Sequence, residues 1–295
     1  MTTHPKNSAD RFRLLISAEQ LQALQQTDQP LMVFDCSFDL AAPEAGHQAF
    51  VAGHIPGAIY AHMDAHLSAK GQPDAASGGR HPLPAREKFT AWLGSAGLDH
   101  GAQVVVYDRQ GANYCGRLWW MLQWVGHDAV AVLDGGWPAW LAAAGAVASG
   151  EATQRLPTNY AVAPELSSLV AIETIAADLG VGGQTVIDAR AAARFRGETE
   201  PLDPVAGHIP GALNRPFANN FQSNGHFKPA AQLRVEFEAL LGSRDPARVV
   251  HHCGSGITAV PNLIAMRLAG LYGSKLFAGS WSEWCSDPNR PVAKG

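Results

Sequence analysis

GHIPGAIY at Gly53–Tyr60 returns as GHIPGALN at Gly207–Asn214, 154 positions later. Outward from these twin turns, other strings answer each other in the same order. VFDC at Val33–Cys36 answers VIDA at Val186–Ala189 at an offset of 153. VVVYDRQGA at Val104–Ala112 answers RVVHHCGSGI at Arg248–Ile257, and LDGGWPAW at Leu133–Trp140 answers FAGSWSEW at Phe277–Trp284, at offsets of 145 and 144. Constant order at near-constant spacing means a tandem duplication. The run SGEATQRLPTNYAVAP, Ser149–Pro164, is polar, carries two prolines and has no apolar period, so it marks the join. The expected domains are residues 1–148 and 165–295, with 149–164 as linker.

Within each half, short apolar runs alternate with helical patterns. LMVFDC, QVVVY and AVAVL in the first half, and QTVID, RVVHH and KLF in the second, have the length and composition of buried strands. REKFTAWLGSAG, NYCGRLWWMLQWV and AAQLRVEFEALL have the helical spacing, and Ser17 with Gln20 forms a capping-box signature at the first helix. This alternation predicts an α/β class, with an open, mainly parallel sheet and helices on both faces in each half. Ligands of such sheets bind beyond the carboxyl ends of the strands.

The 295 residues include 22 Lys+Arg and 26 Asp+Glu, a net charge of −4, with no basic run, which argues against a nucleic-acid partner. No stretch approaches a membrane span, and the N-terminal MTTHPKNSADRFRLL lacks the apolar core of a signal segment. Four cysteines, at 36, 115, 253 and 285, are too sparse for a disulfide framework and form no CxxC pair. The expectation is a soluble, cytoplasmic protein without membrane association. No metal or organic cofactor is expected, since HExxH, GxxxxGK and GxGxxG patterns are missing.

Because the two halves share a frame, features present in both serve the fold, and features present in one point to chemistry. The GHIPGA turns are shared: their glycines permit tight geometry and their prolines fix φ. Trp137 and Trp281 form another shared pair, expected in the core, and His208 is expected to be structural. The strand-to-helix loop that follows QVVVY in the first half and RVVHH in the second differs. It reads Tyr107-Asp108-Arg109-Gln110-Gly111-Ala112 in the first half and His252-Cys253-Gly254-Ser255-Gly256-Ile257-Thr258 in the second. Cys253 stands where Asp108 stands. A cysteine at a strand end, followed by Gly-x-Gly and a helix start, sits in an anion nest of inward N–H groups. A free thiol of pKa ~8.5 is about 3% ionised at pH 7, and lowering that value by two units takes ~2.7 kcal/mol. A helix terminus supplies up to ~2 kcal/mol of this in a favourable site, and charge-assisted amide bonds supply more. His251 and His252 flank the thiol on opposite strand faces, so at most one leans toward it. Cys36 and Cys115 read as packing residues, and nothing near Cys285 activates it.

The twin GHIPGA turns, the GSW segment and the CGSGITA loop resemble the two-domain rhodanese-like sulfurtransferases, over essentially the whole chain. The resemblance implies two tandem rhodanese-like domains, an N-terminal copy that is catalytically silent with Asp108 in place of the cysteine, and a C-terminal catalytic copy. It implies that Cys253 carries sulfur as a persulfide from a small-molecule donor to a thiol acceptor such as thioredoxin, or to cyanide. Thiosulfate-using members carry cations just after the cysteine. Here Gly254 and Ser255 are neutral, and CGSGIT resembles the mercaptopyruvate branch, with Ser255 as a catalytic hydroxyl that polarises the donor ketone. Gly254, Gly256, Ile257 and Thr258 then line the donor site, Arg194 in ARFRG takes the donor carboxylate, and His54 joins from the first turn. Members of that branch often carry a second arginine in an EPR string, whereas Glu200-Pro201 is followed here by Leu202; Arg196 and Arg215 are candidate substitutes, with a solvated surface role favoured for each. Glu44 is the nearest acidic residue to pair with His54.

Three other activities compete. A cysteine phosphatase needs an arginine where Ala259 stands. Thiosulfate as donor is the alternative within the enzyme class, and a non-enzymatic persulfide carrier is the alternative outside it.

Overall fold

The computed structural model describes residues 11–295, so most of the MTTHPKNSADRFRLL stretch lies outside the described residues. The first half runs β1 (Leu15–Ile16), α1 (Ala18–Gln25), β2 (Leu31–Asp35), α2 (Ala45–Ala52), β3 (Ala58–Tyr60), α3 (Arg86–Ser95), β4 (Gln103–Tyr107), α4 (Cys115–Trp124), β5 (Val130–Leu133) and α5 (Gly136–Ala142). The second runs α6 (Ile172–Asp178), β6 (Thr185–Asp188), α7 (Ala192–Phe195), β7 (Leu213–Asn214), α8 (Ala230–Leu241), β8 (Val249–His252), α9 (Val260–Leu268), β9 (Lys275–Leu276) and α10 (Ser280–Trp284).

Both sheets are parallel throughout, in the orders β1-β5-β4-β2-β3 and β7-β6-β8-β9. The second repeats four strands of the first in the same sequence of neighbours. Where β1 flanks β5, the second half offers a single parallel bridge from Leu169 to Leu276. β3 and β7 are too short to show a period in the sequence; they form because the GHIPGA turns deliver them onto β2 and β6. In both turns the second glycine has a left-handed φ, +78° at Gly57 and +80° at Gly211, behind a proline. That is the geometry of a type II turn, and a side chain there would strain it.

The capping box at Ser17 and Gln20 is formed. Every residue of α4 is buried, which is why its sequence is apolar nearly all round. α4 packs on α9 between the two halves, and their side chains share one core with the inner faces of both sheets. Gly116 permits the approach, since a Cβ there would lie 3.2 Å from Val260 Cγ1. The outer faces are covered separately, by α1, α2 and α5 in the first half and by α6 and α10 in the second. Residues 149–164 form no helix or strand. They lie along the first half, where Tyr160 bonds His127 and stacks on His100 at 4.0 Å.

Candidate active site

β4 and β8 are central strands, and the loops that leave their carboxyl ends share one frame. Gly111 and Gly256 are both left-handed, with φ of +69° and +75°. The Asp108 and Cys253 carbonyls each accept from the tryptophan of the GGW or GSW segment, Trp137 N at 2.9 Å and Trp281 N at 3.0 Å. The first loop shows what this frame binds. The Asp108 carboxylate accepts four amide N–H bonds: Gln110 and Ala112 at 2.9 and 3.0 Å on Oδ1, Tyr114 and Cys115 at 2.8 and 2.9 Å on Oδ2. The matching amides of the second loop belong to Ser255, Ile257, Ala259 and Val260. Among the described residues, those of Ser255, Ile257 and Ala259 have no protein acceptor. Cys253 therefore opens a nest of donors that its twin fills with its own carboxylate. Pro261 lies in the first turn of α9, where its missing N–H costs nothing. Ser280 completes the frame from a left-handed φ of +58°, accepting from Cys253 N and donating to the Phe277 carbonyl.

At the head of this nest Cys253 is only 1% exposed. A segment of the first half lies over it. Arg80 N donates to Ser282 Oγ at 2.9 Å, and His81 Nδ1 lies 2.9 Å from Ser255 Oγ. Burial, reinforced by nearby cations, holds the His81 imidazole down to about 3, so it is neutral at pH 7. Its other nitrogen faces Asp64 Oδ1 at 3.5 Å. Neither atom of that contact completes a hydrogen bond, so Asp64 faces the neutral ring as a nearby charge, and Asp64, His81 and Ser255 stand in a row that ends on the cysteine loop. Arg117, from α4, donates to the carbonyls of His81 and Gly256.

A second layer lies at Gly254. Arg80 pairs with Asp203 at 2.5 Å, and Arg194 pairs with Glu200 at 2.6 Å and with Asp203 at 3.2 Å. A Cβ on Gly254 would lie 3.1 Å from Arg80 Nη2 and 3.5 Å from Arg194 Nη1. Two guanidinium edges, one from each half, thus converge beside the cysteine. Arg190 joins the same network through Asp188 and Glu200, making three cations against three carboxylates.

Of the residues singled out from the sequence, Cys253, Gly254, Ser255, Gly256, Ile257 and Thr258 share the loop, and Arg194 lies against it. His54 does not join them. Its ring stacks on Phe50 at 4.0 Å, Nδ1 meets the Phe50 carbonyl, and its backbone pairs with Ala148. His208 does the same with Phe195 and Ala293, so both copies use this histidine to fasten the turn. Glu44 lies 3.6 Å from His62. Arg196 pairs with Glu198 and Arg215 with Glu236, so neither stands in for an arginine at Leu202. Trp137 and Trp281 lie under Arg109 and Arg190 at 4.6 Å in matching cation–π contacts. His252 Nδ1 lies 3.1 Å from the Cys253 carbonyl and His251 Nε2 lies 3.1 Å from Met266 Sδ. Burial lowers both imidazoles, His251 to about 3. Burial also raises the thiols of Cys36, Cys115 and Cys285, which suits inert packing.

Asp64, Arg80, His81 and Arg117 escape a reading confined to the cysteine's own half. One signal for them is in the repeat. His81-Pro82-Leu83-Pro84 aligns with His226-Phe227-Lys228-Pro229 at the offset of 145 that relates Asp108 to Cys253. The twin reaches across in the reverse direction, His226 Nδ1 lying 3.1 Å from Asp134 Oδ2. Each half thus clasps the other.

Comparison with known proteins places this geometry. The profile of the Rhodanese-like domain matches residues 17–143 and 172–287. A Pseudomonas aeruginosa protein that carries a 3-mercaptopyruvate sulfurtransferase name is 45% identical over 282 residues, 95% of this chain and 98% of its own. A Mycobacterium tuberculosis protein that carries a thiosulfate sulfurtransferase name is 38% identical over 288 residues, 97% of this chain and 98% of its own. The crystal structure of the 3-mercaptopyruvate sulfotransferase SseA from Escherichia coli superposes with a TM-score of 0.78 at 27% identity, covering 92% of this chain and 100% of that one.

Proposed function

This chain belongs to the rhodanese family, as a tandem of two rhodanese-like domains, and on that premise we propose that it is a sulfurtransferase in which Cys253 takes sulfur from 3-mercaptopyruvate. The observation that carries this reading is the Asp108 carboxylate. With four amides on its two oxygens, it marks where the twin loop holds negative charge. A persulfide on Cys253 puts its outer sulfur in the region that an Asp108 oxygen occupies in the silent copy.

In the forward step the Cys253 thiolate attacks the donor sulfur, the S–S bond forms, and the C–S bond breaks with its electron pair leaving on carbon as the enolate of pyruvate. The donor's thiol proton ends on that carbon, so atoms and charge balance. The nest amides hold the sulfur anion, and the Ser255 hydroxyl, placed by His81, turns to donate to the ketone oxygen as enolate charge develops. Arg80 and Arg194 receive the carboxylate at Gly254, so the cation missing at Leu202 comes from the other domain. Because Asp203 and Glu200 offset both guanidiniums, the cluster suits a monoanion better than the thiosulfate dianion. The persulfide then passes to a thiol acceptor such as thioredoxin, or to cyanide. Four free thiols suit a reducing compartment, the cytoplasm; among the described residues no helix is long and apolar enough to cross a membrane.

Intact mass after exposure to mercaptopyruvate tests the proposal. The unaltered chain gains one sulfur atom and Cys253→Ala gains none. Gain by both removes Cys253 as nucleophile, and a higher kcat/KM with thiosulfate removes the donor assignment.

A further inference from the structure

Given Cys253 as the nucleophile, we propose that Arg117, a residue of the silent half, is the buried counter-charge that keeps that thiol ionised and steadies the anionic persulfide. The Arg117 side chain is fully buried at the α4–α9 contact. Its guanidinium donates to three carbonyls: His81 at 2.9 Å, Leu67 at 3.3 Å and Gly256, on the cysteine loop, at 3.4 Å. Nε has no partner, and no carboxylate lies within ion-pair distance among the described residues. A buried cation left with neutral partners is costly. Burial pulls Arg117 down to about 10, still far above neutral pH, so it is charged at pH 7, and its bond to the Gly256 carbonyl sets that charge against the cysteine loop.

The duplication supplies a control. At the offset of 145, the position of Arg117 in α4 is held in α9 by Asn262, a neutral amide bonded to Asn220 and to the Arg215 carbonyl. The loop of the first half carries Asp108, whose charge four amides already satisfy. The loop of the second carries a cysteine that must be ionised, and the helix packed against it supplies the cation.

The other charged and titratable groups around the loop leave this role open. Arg80 and Arg194 are paired with Asp203 and Glu200 at Gly254. His81 is neutral between Ser255 and Asp64, whose carboxylate pairs with Lys70. His252, Asp188 and Arg190 lie beneath the strand end and engage one another.

The test is the pH dependence of Cys253 alkylation by iodoacetamide, followed by peptide mass on the full chain, for the unaltered protein, Arg117→Gln and Arg117→Lys. Arg117→Gln slows alkylation at pH 7 about tenfold and moves the midpoint of the profile to higher pH, while Arg117→Lys keeps most of the rate. A structural role alone lowers thermal stability and leaves the midpoint in place; equal midpoints in all three overturn the proposal. If neither variant melts cooperatively, Arg117→Met, which keeps the buried volume without the charge, takes their place: a midpoint above that of the unaltered protein supports the proposal, and an equal one overturns it. Sulfur loading at Cys253 is read separately, so failure of the nucleophile assignment is distinguishable from failure of Arg117.

Discussion

Gly254 is the residue at which guanidinium groups from the two halves converge. Its φ is not left-handed, so what requires a glycine is space. A Cβ would press on the ends of Arg80 and Arg194 at 3.1 and 3.5 Å. Both are tips of long side chains that can yield, which separates function from stability here. Gly254→Ala is expected to cost about 0.5 kcal/mol of stability or less. It is also expected to raise KM for a carboxylate-bearing donor about tenfold, because the guanidinium pair is pushed apart. Steady-state kinetics beside a urea melt check this; an unchanged KM removes the carboxylate from Gly254.

The β4–α4 loop and its twin are one element used twice for different ends. In the first copy a carboxylate is the internal ligand that closes the loop and caps the start of α4. Asp108→Ala leaves four inward amides without an acceptor, in a loop that water reaches poorly. The expected loss is about 3 kcal/mol, more than an ordinary helix cap contributes. Asp108→Asn recovers part of it, since one oxygen remains to accept. Urea melts of both variants check the order. A loss below that of a simple cap means that the amides find other partners and that the nest is not preformed. The same frame in the second copy leaves the amides of Ser255, Ile257 and Ala259 without a protein acceptor among the described residues, so the charge-binding geometry is built by the backbone and its occupant is chosen by one side chain.

At the scale of the whole molecule, the fold buries several imidazoles in the neutral form. Burial holds His81 and His251 to about 3 and His127 to about 4. Unfolded, each titrates near 6.5, so below that pH the unfolded chain binds protons that the folded one refuses. Stability is therefore full above pH 6.5 and falls as the pH drops toward 3 to 4. At pH 5 linkage gives about 2 kcal/mol per histidine. The urea midpoint is expected to fall markedly between pH 7.5 and pH 5, with His81 disengaging from Ser255 across the domain boundary. A flat midpoint over that interval contradicts neutral burial.

The amino-acid sequence by itself determined the duplication, the parallel α/β frame, the left-handed glycines of the GHIPGA turns and the singular Cys253. These are carried by contiguous strings whose period and turn chemistry act locally. It also marked the loop from Cys253 to Thr258, because loop and helix start are adjacent in the chain, whereas Arg194 is marked only by the resemblance to the family. The tertiary structure decided the rest. It moved His54 out of the site, where the turn itself uses the ring, and it closed the thiol beneath the other half. It also brought His81 to Ser255 across 174 residues and Arg117 to Gly256 across 139. Such pairs depend on how α4 docks on α9, and a docking register between two halves is set by the fit of their buried faces, which no local pattern of residues encodes.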